Sequence, residues 1–79
     1  MEHQEISFKY IKSEDFKLSP KEISILKLLV NGLKDKQIAE ELNISRHTVN
    51  YHLKNIFQKL QVNTRYQAVS IAFIYELLK

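Results

Sequence analysis

From Asn43 to Ile74 the sequence contains no aspartate or glutamate, while Arg46, Lys54, Lys59 and Arg65 are cationic and His47 and His52 can become so. Cationic N–H donors neutralise phosphate oxygens, and a stretch without carboxylates does not repel them. Within it, Asn50 and Lys54 are side-chain types that read base edges, and Thr48 is a type that grips phosphate. Other chemistries fit less well. His47 and His52 lie five residues apart, not the one-turn spacing that aims two imidazoles at one metal, and the chain has no cysteine to complete a zinc site. Ser45, Asp35, His52 and Glu22 do not make a nucleophile, base and orienter, because Ser45 is needed as a helix cap and no glycine-rich turn exposes it. The expectation is a protein with no metal, no cofactor and no catalytic activity.

The elements that must position these residues are few. A chain of 79 residues leaves room for one hydrophobic core and excludes barrels and doubly wound sheets. One Gly and one Pro are too few turn formers for a sandwich of short strands, so the expected class is all-α. The net charge of +3 would say little if spread evenly, but the excess is concentrated in the acid-free stretch. No signal-peptide pattern opens the chain and no apolar run approaches the roughly 20 residues a membrane span needs, so a soluble, cytoplasmic protein is expected, without a membrane partner.

Residues 1–17 read as an N-terminal tail or linker in which Ile6, Phe8 and Tyr10 alternate weakly, as in a short strand; residues 18–79 read as the folded domain. Ser19, Pro20 and Glu22 supply a capping hydroxyl, a proline for the first helical position and the reciprocal carboxylate of a capping box. A first helix follows, with Ile23, Leu26, Leu29 and Val30 at helical spacing and Gly32 to end it. A short second helix runs from about Asp35, its expected N-cap, to Leu42, with Ile38, Ala39 and Leu42 on one edge. Asn43 tolerates left-handed backbone, Ile44 can plug the corner, and Ser45 caps a third helix from Arg46 to about Leu60. Thr64 and Gln67 open a fourth helix, expected to reach Leu78.

At about 100° per residue, Val49, Leu53, Ile56 and Leu60 form one narrow stripe on the third helix, which must face the core. His47, Asn50, Tyr51, Lys54 and Gln58 occupy the opposite face, with Arg46 and Thr48 flanking the helix start. Any surface helix has a polar face, and alone this one would read as merely solvated. Its context reverses that reading, because a short helix, a tight turn and a second helix make the DNA-binding helix-turn-helix, whose second helix enters the major groove.

Residues 18–69, with the segments LSPKEISILKLLVNG, KQIAEEL, NISRHTVNYHLKNIFQKL and VNTRYQAV, resemble the LuxR-type (GerE-like) helix-turn-helix DNA-binding domain. Glu22, Gly32, Ile38, Ala39, Ser45, Thr48, Val49, His52, Lys59, Leu60 and Arg65 fall where that family's motif has them. The resemblance implies a four-helix domain that acts in transcription on double-stranded DNA and forms a homodimer through helix four. By position, its base-reading residues correspond to Asn50, Tyr51 and Lys54, and its phosphate contacts to Thr48, Arg46 and His47, with Lys34 and Lys36 as weaker candidates. Three positions depart from the family pattern. Gln61 stands where a glycine is usual, Lys34 replaces a small capping residue, and Lys21 replaces an arginine, losing bidentate pairing but keeping charge.

Helix four is apolar nearly all round: Ala68, Ile71, Ala72 and Tyr75 can seal the core, leaving Val69, Phe73 and Leu77 on a second face. Either the tail folds back over that face or a second copy covers it, and the dimer is the expectation. The alternative function is a helical protein-interaction module that uses this face, with RNA polymerase as a candidate partner. A sigma-factor region with a similar helix-turn-helix is a nearer rival. His52, at the edge of the core stripe, is expected to pack structurally. Arg65 is expected to pair with Glu22 or cap a carbonyl within the domain rather than touch phosphate.

Overall fold

A computed structural model describes residues 13–78, so the alternating Ile6, Phe8 and Tyr10 lie outside the described residues. A short 3-10 turn, Ser13–Phe16, precedes four α-helices: α1 (Pro20–Val30), α2 (Asp35–Leu42), α3 (Arg46–Leu60) and α4 (Arg65–Ile74). The described residues contain no strand, as an all-α chain requires.

Local chemistry accounts for the starts. Ser19 Oγ accepts from Glu22 N at 3.1 Å and Glu22 Oε1 accepts from Ser19 N at 2.8 Å, a complete capping box ahead of Pro20. Ser45 Oγ accepts from Thr48 N at 3.0 Å to open α3, and Thr64 Oγ1 accepts from Gln67 N at 3.2 Å to open α4. The start of α2 differs from the sequence expectation. Lys34, not Asp35, is the N-cap residue. A lysine ammonium cannot accept a hydrogen bond, so only half of a box forms: Gln37 Oε1 accepts from Lys34 N at 2.9 Å. Asp35 becomes the first helical residue, where its charge favours the helix start while its side chain stays free to pair elsewhere.

The helix ends share one device. Gly32, Asn43, Gln61 and Glu76 have φ of 90°, 56°, 58° and 54°. In each case the next residue donates back into the helix: Leu33 N to Leu28 O at 3.1 Å, Ile44 N to Ala39 O at 3.0 Å, Val62 N to Phe57 O at 2.9 Å and Leu77 N to Ala72 O at 3.0 Å. Each of those four apolar residues thereby turns toward the helices, and all four pack in or against the core.

The core joins Ile25, Leu26 and Leu29 of α1, Ile38 and Ala39 of α2, Val49, Leu53, Ile56 and Leu60 of α3, Ala68 and Ala72 of α4, and Leu77. The α3 stripe is therefore buried as its periodicity requires. On α1 the buried line is shifted: Ile25 is fully buried, whereas Ile23 and Val30 are half-buried. Phe16 packs edge-on against Tyr75, with ring centroids 5.2 Å apart, so the end of the expected tail belongs to the folded unit. Helix α4 stops at Ile74 rather than Leu78. The reason is the left-handed Glu76, which diverts the chain and buries Leu77, 9% exposed, where a continued helix would have carried it to the Phe73 side.

Candidate nucleic-acid interface

Helices α2 and α3 are joined by Asn43, Ile44 and Ser45, and Ile38 and Val49, both fully buried, are held in one core. That packing turns one side of α3 inward and leaves the other outward. Arg46, His47, Asn50, Tyr51, Lys54 and Gln58 are all exposed, Tyr51 at 61%, and none of them is acidic. The Tyr51 and His52 rings meet edge-on with centroids 5.4 Å apart, and His52 is half-buried.

Thr48 is half-buried, and its Oγ1 lies 2.9 Å from Ser45 Oγ. Either hydroxyl can be the donor in that contact, and when Ser45 Oγ donates, the threonine hydroxyl hydrogen is free for an outside acceptor. Lys34 and Lys36 are exposed and line one groove with Arg46. The structure thus brings Lys34, Lys36 and Arg46 to one edge of the outward face of α3.

Two ion pairs fix this face from within. Lys59 Nζ, in the last turn of α3, donates to Glu22 Oε1 of α1 at 2.8 Å and to Lys17 O at 3.2 Å. Burial alone would push the Glu22 carboxyl up. The Lys59 hydrogen bond, the Ser19 backbone N–H and the Lys59 charge outweigh it and hold the carboxyl below its ordinary value. Arg65 has an internal role, as expected, but its partner is not Glu22. Its Nη2 donates to Asp35 Oδ1 at 2.8 Å and its Nη1 to Leu33 O at 3.4 Å, tying the start of α4 to the start of α2. Glu22, in the first turn of α1, lies instead beside the last turn of α3, where Lys59 pairs with it.

The expected dimer residues Val69, Phe73 and Leu77 do not share a free face. Phe73 is 69% exposed and Val69 half-buried, but Leu77 lies in the core. Ile74, 57% exposed, stands beside Phe73 instead, and sequence periodicity missed it because the helix was expected to continue. Tyr66, also exposed, was likewise missed; its signal was a large aromatic at the second position of a helix, away from the core stripe.

Among the described residues no group of three or more His, Asp or Glu side chains could hold a metal ion, and no helix is long and apolar enough to cross a membrane. A family model described as bacterial regulatory proteins, luxR family (GerE), matches residues 17–72. The transcriptional regulatory protein YdfI of Bacillus subtilis (strain 168) is 42% identical over 71 residues, covering 87% of this chain and 33% of its own length. The nitrate/nitrite response regulator protein NarP of Escherichia coli (strain K12) is 42% identical over 59 residues, covering 75% of this chain and 27% of its own. The HTH-type transcriptional regulator AlkS of Alcanivorax borkumensis is 48% identical over 58 residues, covering 73% of this chain and 7% of its own. The chain thus spans a third or less of the length of these curated relatives.

Proposed function

The chain belongs to the LuxR family of bacterial regulatory proteins, and from that premise we propose that it is a sequence-specific DNA-binding transcriptional regulator that lays α3 in the major groove. The observation that carries this reading is the outward face of α3, where Asn50, Tyr51 and Lys54 are exposed together on a surface without a carboxylate. A helix with its side chains, roughly 10–12 Å across, fits a major groove about 12 Å wide. Asn50 pairs naturally with an adenine edge and Lys54 with a guanine edge, while Thr48, Arg46, His47, Lys34 and Lys36 face the flanking phosphates. The molecule acts as a homodimer through α4, with Phe73 and Ile74 at the contact and half-buried Val69 beneath them. Two half-sites then lie about 34 Å apart, one helical turn of DNA.

Fluorescence anisotropy on duplexes selected from a random pool tests this. Binding must weaken as salt rises, because each phosphate neutralised releases a counterion. Asn50→Ala and Lys54→Ala should each narrow the gap between selected and scrambled duplexes by about 1–3 kcal/mol, whereas Thr48→Ala should weaken all duplexes alike. Equal losses on every duplex for all three variants would remove the base-reading role. The exposed Phe73 and Ile74 favour a second reading, a protein-interaction module that contacts a partner such as RNA polymerase. In that case no duplex binds above the nonspecific level.

A further inference from the structure

The first residues of α2, α3 and α4 meet around a groove of about 460 Å³ lined by Lys34, Asp35, Lys36, Arg46, Arg65 and Tyr66. Its walls carry four cations against one carboxylate, and that carboxylate is already matched by Arg65 at 2.8 Å. Lys34, Lys36 and Arg46 are exposed, so their charge is available to an anion entering the groove. Tyr66 is 80% exposed and lines the groove, and a phenol at a concave cationic surface is a ready donor. Arg46 belongs both to this groove and to the start of α3, and Asn50 follows it by about 6 Å along the helix axis. With α3 in the major groove, as proposed above, a nucleotide strand bordering the base pairs that face Asn50 passes the mouth of the groove.

We propose that this groove seats one backbone phosphate of that strand, with Tyr66 of α4 donating its hydroxyl hydrogen to a phosphate oxygen while Lys34, Lys36 and Arg46 neutralise its charge. The proposal rests on the DNA-binding reading above and adds α4 to the surface that grips the duplex. The Arg65–Asp35 pair is a positioning element here: it fixes the two helix starts that form the walls and removes the one charge that would repel the phosphate. An acidic peptide would satisfy the same cations, but the groove is continuous with the acid-free face of α3, which favours a nucleotide strand.

The test uses the 79-residue chain and a selected duplex in which one phosphate at a time is replaced by an uncharged methylphosphonate. Tyr66→Phe should weaken binding about tenfold or more on every duplex while leaving the salt slope unchanged, because the lost donor carries no charge. Lys36→Ala removes one of three cations on that phosphate and should reduce the slope by a part of one phosphate's worth, a whole one being roughly 0.9. One phosphate, flanking the base pairs read by Asn50, should cost either variant less on replacement than it costs the wild-type chain. Wild-type affinity in Tyr66→Phe, or additive losses at every phosphate, overturns the seat while leaving DNA binding intact. Absence of salt-sensitive duplex binding by the unaltered chain instead overturns the DNA-binding reading itself.

Discussion

Replacing Glu22 should separate the two roles that its carboxylate plays. Oε1 accepts from Ser19 N at 2.8 Å as part of the α1 cap and from Lys59 Nζ at 2.8 Å as an ion pair with the last turn of α3. Glu22→Gln keeps an acceptor for Ser19 but gives Lys59 only a neutral amide. Hydrogen bonds to charged groups contribute about 1 kcal/mol more than neutral ones, so a loss of that size is expected. It should not be larger, because the Lys59 side chain is 39% exposed and can turn to water. Glu22→Ala removes both bonds and should cost about 2–3 kcal/mol, roughly 1 of it from the cap. For a domain of this size each kcal/mol lowers Tm by about 4–8 °C, well within reach of thermal denaturation followed by circular dichroism.

The pH dependence sharpens the test. The folded-state carboxyl lies below its ordinary value of 4.5, so the stability it supplies is fully present above that value and is lost as pH falls through the lowered one. The gap in Tm between the wild-type chain and Glu22→Gln should therefore be widest near neutrality and close in acid. A gap that is the same at neutral and acidic pH, or Glu22→Gln as stable as wild type at neutral pH, would refute the assignment of the Glu22–Lys59 pair as a charged clamp.

Gln61→Gly should raise stability by about 0.5–1 kcal/mol, read from a denaturant midpoint, because Gln61 holds a φ of 58° that glycine adopts without steric cost. Leu77→Ala should destabilise the fold by about 2–5 kcal/mol, as truncation of a core leucine does. Phe73→Ala should leave Tm at low concentration nearly unchanged and shift self-association measured by analytical ultracentrifugation; equal effects of the two on folding would contradict the different surroundings of these side chains.

Most of the fold was legible because it is written in short-range rules. The capping hydroxyls of Ser19, Ser45 and Thr64 bond residues three positions away, and the burial of Val49, Leu53, Ile56 and Leu60 follows from a single helical period. The outward set Asn50, Tyr51 and Lys54 was legible for the same reason: once one side of α3 is buried, the other is determined by the turn angle. Lys34 misled because a poor capping side chain can still occupy a cap position when Gln37 serves its backbone.

What the sequence by itself determined, then, is which segments are helices, which side of α3 faces out and how little negative charge lies there. Only the tertiary structure decided who pairs with whom, since Lys59 reaches Glu22 across 37 positions and Arg65 reaches Asp35 across 30. It also decided that α4 stops at Ile74, turning Leu77 into the core and leaving Ile74 beside Phe73 at the surface. The physical reason is that a helical period is enforced by neighbours along the chain. The partner of a charge and the end of a helix are set by groups that only folding brings near.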